Sequence, residues 1–198
     1  IQLLKNAPKV FWTVGLVQFF SWAAFMYMWT YTNGGIAENI WNTTDPKSAD
    51  YQTAGNWVGV VFAVQALGSV LWAMVIPSFK SYKSAYVVSL LLGAIGFIST
   101  IFIHNQYFLF ISYLLIGCAW SAMLALPFTI LTNALSGKNM GAYLGLFNGT
   151  ICLPQIVAAA LGGVIYKYVT NESSIYMLLV AGILLVFGAF SVFTIKEK

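Results

Sequence analysis

The chain has 198 residues (21.7 kDa), of which 60% are hydrophobic, 17% aromatic and 7% charged, with a net charge of +4 and a mean hydropathy of +0.83. A soluble domain carries roughly 25% charged residues, so nine Lys, five acids and one His are too few to keep such a surface dissolved, whereas a bilayer needs almost none. Nor does the positive balance point to nucleic acid: Arg is absent and the lysines are scattered, with no basic stripe.

A helix needs about 20 mainly apolar residues to cross a ~30 Å hydrocarbon core. Six such runs follow one another at 8–31, 56–76, 85–103, 107–131, 142–166 and 175–195. A membrane β-barrel would instead show short segments alternating apolar and polar residues. The reading is an all-α membrane protein of six transmembrane helices in one half-domain spanning 1–198. Ile1 is preceded by no initiator Met or signal peptide, so the chain reads as part of a longer one.

In chain order, the first span places Gln18, Trp22, Phe25 and Trp29 at i, i+4, i+7 and i+11, on one helical stripe. The segment 32–55 holds the turn formers Asn33, Gly34, Gly35, Asp45 and Pro46 and reads as a long external loop capping the bundle. The second span aligns Gln65, Ser69 and Trp72. The third and sixth offer only Ser, Thr and Gly among aliphatics, as expected of helices that face lipid and support the others. His104 falls at an external helix end, and Trp120 lies in the fourth span. The fifth aligns Asn148, Cys152 and Gln155, contains Pro154 as a source of a bend, and carries Gly141, Gly145 and Gly149 on one face that would admit a close helix neighbour. Cys118 and Cys152 sit inside apolar runs and read as packing residues. Asn42-Thr43-Thr44 and Asn171-Glu172-Ser173 match the glycosylation pattern on the external side.

Cytoplasmic loops retain positive charge. With the N-terminus inside, Lys5, Lys9, Lys80, Lys83, Lys138, Lys196 and Lys198 face the cytoplasm with Glu197, seven minus one or +6; Lys47 and Lys167 face outward with Glu38, Asp45, Asp50 and Glu172, two minus four or −2. Both termini are then cytoplasmic in a cell (inner) membrane, and no Lys, Asp or Glu lies within a span. Polar chemistry at depth falls to amides. An amide both donates to and accepts from sugar hydroxyls, while an indole face covers the apolar face of a pyranose. The candidate substrate-binding residues are Gln18, Trp22, Phe25, Trp29, Gln65, Trp120, Asn148 and Gln155. The alternative for each amide is a hydrogen bond between helices. No catalytic residue, cofactor or metal site is assigned.

Two ordered matches between the halves mark an internal repeat: Trp22-Ala23-Ala24 with Trp120-Ser121-Ala122, and Gly55-Asn56-Trp57-Val58-Gly59 with Gly141-Ala142-Tyr143-Leu144-Gly145. Three helices is an odd number, so the second unit is inverted relative to the first.

Gln18-Phe19-Phe20-Ser21-Trp22 resembles the first helix of a half-transporter in the sucrose and maltose proton-symporter (glycoside-pentoside-hexuronide-like) branch of the major facilitator superfamily. Leu126-Pro127-Phe128-Thr129 and the stretch from Gly141 to Ile156 are similar to a cytoplasmic loop and the following helix of that branch. The resemblance implies the C-terminal half of a twelve-helix fold, a missing N-terminal six-helix half and membrane lipid as partners, a neutral disaccharide as substrate, alternating access and proton coupling. The Asp-Arg loop signature of the superfamily is absent from 77–83, and Lys138 stands where many members have Arg. With no titratable carboxylate in a span, any coupling acid is expected in the missing half. The alternatives are a membrane sensor or a scaffold module built on the same bundle.

Overall fold

In hydrocarbon a backbone must satisfy its own hydrogen bonds, which leaves helices as the only way for these apolar runs to cross. The structure, a computed structural model, describes residues 2–135 and 140–196; Lys138, Glu197 and Lys198 lie outside the described residues. In chain order the helices are α1 (Gln2–Lys5), α2 (Lys9–Trp41), α3 (Ala49–Val75, continued by a 3₁₀ turn Ile76–Ser78), α4 (Tyr82–Ser99, continued by Thr100–Phe102), α5 (Leu109–Ala134), α6 (Met140–Phe147), α7 (Gly149–Tyr168) and α8 (Ser174–Val192). Six helical segments are long and apolar enough to cross a membrane, α6 and α7 together making the fifth, and no strand occurs among the described residues.

The predicted loop at 32–55 is largely helix. Continuing to Trp41, α2 reaches 33 residues, about 50 Å at 1.5 Å per residue, and α3 starts at Ala49; only residues 42–48 connect them. The physical reason is tertiary. Gly34 and Gly35 are not turn residues but the contact surface of α2 with the start of α8, where a Cβ on Gly35 would lie 3.2 Å from the Ile175 Cα. The real turn is at Asn42, in the left-handed region at φ 51°, followed by Asp45 and Pro46.

Packing departs from the sequence expectation in two further ways. The third and sixth spans are central rather than peripheral: half of the apolar stretch of α4 and 56% of that of α8 are buried, against 17% for the second and fifth spans. Each keeps one lipid-type face, with Ile183, Phe187 and Phe190 exposed on α8, and turns its glycines inward: Gly93 against Ala119, and Gly182 against the Ala94 carbonyl. The glycine face of the fifth span, in contrast, meets no neighbour among the described residues, since a Cβ on Gly141, Gly145 or Gly149 would find no atom of theirs within 4 Å. A close glycine-mediated crossing is found instead between α3 and α5. There a Cβ on Gly68 would lie 2.5 Å from the Leu114 carbonyl oxygen, and one on Gly117 would strike the Gln65 carbonyl. Periodicity identifies a small-residue face, but whether a neighbour covers it is decided by the rest of the fold.

The fifth span is interrupted at Asn148, six residues before Pro154, which itself sits inside continuous α7. Thr150 donates its hydroxyl to the Phe147 carbonyl at 2.6 Å beside this break. α2 packs most extensively on α8, and α5 on α4; α2 also packs on α7, and α5 on α3. These two pairs of pairings exchange under a swap of the first three spans with the last three, as an inverted repeat requires.

Candidate functional site

The stripe on α2 and the single Trp on α5 converge. Trp120 lies 5.8 Å from Trp22, 5.7 Å from Trp29 and 5.1 Å from Phe25 between ring centroids, and Phe25 extends the cluster to Phe97 on α4 at 5.7 Å. Trp22 and Trp120 are the residues aligned by the internal repeat, so the repeat-related indoles meet edge to face where α2 approaches α5. The cluster is graded in depth. Phe25 is fully buried and Trp22 almost so, while Trp29 is 42% exposed and Trp120 half-buried. The cluster is therefore open on its Trp29 and Trp120 side.

Gln18 lies one turn below Trp22 and is 0% exposed. Neither its Oε1 nor its Nε2 has a hydrogen-bond partner, and the Trp22 Nε1 also lacks one. Buried polar groups are almost always paired, because an unmade hydrogen bond costs about 1–3 kcal/mol. The interhelical bond expected as the alternative role for Gln18 is thus not made, and its amide stands behind the indoles with its capacity unspent.

The remaining candidates do not join this cluster. The Gln65 side chain on α3 is buried without a hydrogen bond, and its backbone carbonyl abuts Gly117. Asn148 is exposed at the break between α6 and α7, and Gln155 is half-buried on α7. No hydrogen bond or ring contact connects these three to the indoles among the described residues. α7 meets α2 one face away, through Tyr31 stacked on Tyr166 at 5.4 Å.

Sequence reasoning missed the end of the bundle opposite the termini. Glu38, read as a loop charge, lies on α2 and caps α8: Ser173 Oγ donates to its Oε1 at 2.6 Å, and the Ser174 and Ile175 amides donate to its Oε2 at 2.9 and 3.4 Å. The next residue, Asn39, places its amide nitrogen 3.1, 3.3 and 2.8 Å from the carbonyl oxygens of Thr100, Ile101 and Ile103. One turn of α2 thereby closes an N-terminus and a C-terminus of two other helices. The His104 ring is held there too, its Nδ1 3.1 Å from the Asn39 carbonyl oxygen. No local signal marks either residue, because both partners lie more than 60 positions away.

The family model of the Major Facilitator Superfamily matches residues 8–198. No curated protein matches the sequence.

Proposed function

The chain belongs to the Major Facilitator Superfamily, a family of membrane transporters, and on that premise we propose that it forms the C-terminal half of a secondary transporter carrying a neutral sugar by alternating access. In this reading both termini face the cytoplasm of an inner membrane, and the substrate sits near the midplane where this half meets its N-terminal counterpart. The carrying observation is the indole group of Trp22, Trp29 and Trp120 backed by the unpartnered Gln18 amide: apolar ring faces with donor and acceptor capacity behind them suit a pyranose. The low burial of α3 and of the α6–α7 span, 17% each, supports a second half, since those faces await a neighbour.

Proton coupling requires a titrating group at depth. The acids among the described residues, Glu38, Asp45, Asp50 and Glu172, all lie at helix ends or in connections, so the coupling carboxylate belongs to the other half.

The test is sucrose and maltose uptake into vesicles by the full-length chain, with and without a pH gradient, for wild type, Trp29→Ala and Trp120→Ala. Uptake that collapses in both variants is the expected result. Binding of sugar without flux would sink transport and assign the bundle as a sensor; neither binding nor flux for any neutral sugar would sink the substrate class.

A further inference from the structure

α3 and α5 touch at Gly68 and Gly117, and beyond that contact, toward the end of the bundle that carries both termini, Ala73 and the turn after α3 face α5 across an open space. This space is a cavity of about 1240 Å³, larger than the ~300–1,000 Å³ of an ordinary small-molecule pocket. Its wall on α5 runs from Ser121 to Ala134, about 20 Å at 1.5 Å per residue, enough to cover one leaflet, about 15 Å, of a ~30 Å hydrocarbon core. The wall is mainly apolar, with Ile76 on one side and Ala125, Leu126 and Ile130 on the other.

The mouth is different. Lys9, Lys80 and Lys196, contributed by the start of α2, the α3–α4 connection and the segment after α8, all line the cavity, and no acid among the described residues does. None of the three makes an ion pair or side-chain hydrogen bond to a described residue. Pro8 and the first turn of α2 also line it, and no side chain caps that 33-residue helix, so its positive end faces the same opening. Three lysines and an uncapped helix start around one cavity raise the potential there unless an anion offsets it.

We infer that this wedge is a binding site for an anionic phospholipid of the leaflet on the terminal side, its phosphate held by Lys9, Lys80 and Lys196 and an acyl chain lying between α3 and α5. An apolar slot of leaflet depth with a cationic rim matches an amphiphilic anion at both ends. A soluble phosphate would use the rim and leave the slot empty. The inference is independent of the sugar reading.

The experiment uses the purified full-length chain, with retention of phosphatidylglycerol compared with phosphatidylcholine by native mass spectrometry. A lysine near an anionic surface contributes roughly a fivefold change in affinity, so the triple variant K9Q/K80Q/K196Q is expected to lose on the order of 100-fold in its preference for phosphatidylglycerol. Lys80→Gln alone loses about fivefold, which keeps the test available if the triple variant is poorly folded. Ala125→Phe, which fills the slot and spares the lysines, weakens phosphatidylglycerol and phosphatidylcholine alike. The control K47Q/K167Q, at the other end, changes nothing. Equal retention of the two lipids by wild type, or an unchanged preference in Lys80→Gln and in the triple variant, overturns the proposal. Displacement of bound phosphatidylglycerol by inorganic phosphate also overturns it, assigning the rim to a soluble anion.

Discussion

Replacing Glu38 should free the start of α8 while leaving the rest of the bundle in place. Its carboxylate accepts two short hydrogen bonds, 2.6 Å from Ser173 Oγ and 2.9 Å from the Ser174 amide, and a longer one of 3.4 Å from Ile175. A hydrogen bond to a charged group is worth ~1.5–3 kcal/mol, and a helix cap ~0.5–2 kcal/mol. Glu38 is half-buried at the bilayer edge, where water re-solvates part of what is freed, so the lower ends of these ranges apply. Glu38→Ala then costs about 2–3 kcal/mol of local stability, a roughly 30- to 150-fold increase in opening. Glu38→Gln keeps an acceptor oxygen and loses the charge that complements the α8 dipole, at about 1 kcal/mol or roughly fivefold. Hydrogen exchange of the peptide covering residues 173–178, read by mass spectrometry, reports this opening directly. Exchange in Glu38→Ala within twofold of wild type would refute the cap. Equal acceleration in both variants would show that charge alone, not the bonding geometry, holds α8.

Asn39→Asp should destabilise more than Asn39→Ala, because it turns an amide facing three carbonyl oxygens into an acceptor facing acceptors; melting in detergent ranks the two, and the reverse order would exclude the donor role. Gly117→Ala forces a Cβ into the Gln65 carbonyl and within 2.7 Å of the Ser69 amide, which predicts a loss of ~1–3 kcal/mol by overpacking. Gly163→Ala, with no atom within 4 Å, should stay within about 0.5 kcal/mol of wild type, and equal effects at both positions would contradict the crossing. Trp29→Ala should abolish sugar-dependent tryptophan quenching at little cost in melting, since Trp29 is 42% exposed; unchanged quenching would remove it from the site.

The six spans could be read from the sequence because crossing a bilayer demands a continuous apolar run that no other architecture shares. The aromatic stripe of α2 could be read for the same kind of reason, as one helix face carries it whatever the fold. The extension of α2 to Trp41 could not. Asn33-Gly34-Gly35 is a turn by composition, and it is helical only because Ser173–Ile175 and Thr100–Ile103, distant in sequence, supply partners for Glu38 and Asn39 and a surface for the glycines. The glycine face of 141–149 failed in the opposite direction. Its spacing promised a close neighbour that the described residues do not provide.

The way the repeats combine has a consequence for folding. Within the first three spans, α2 packs on α3, while α4 meets α2 through Phe97 on Phe25 and the Asn39 contacts at its end, and α3 through the Trp72–Ser89 hydrogen bond; α4 lies mainly against α5 and α8, and α3 against α5. Within the last three, α5 packs on α4 and α3 of the first unit, and α8 on α2 and α4. The fold is therefore two interleaved units, each completing the other, with Trp22 and Trp120 meeting near the middle at 5.8 Å. Individual helices insert before they pack, so a chain severed in the connection between His104 and Tyr107 should yield two fragments that each enter the membrane without forming a stable bundle. Expressed together, they should assemble, because nearly all the packing lies between them rather than within either. Co-purification of a tagged 1–104 fragment with 105–198, together with exchange protection of α4 amides, checks this. Protection of α4 in the 1–104 fragment alone would show that each unit packs by itself, and the interleaved account would fall.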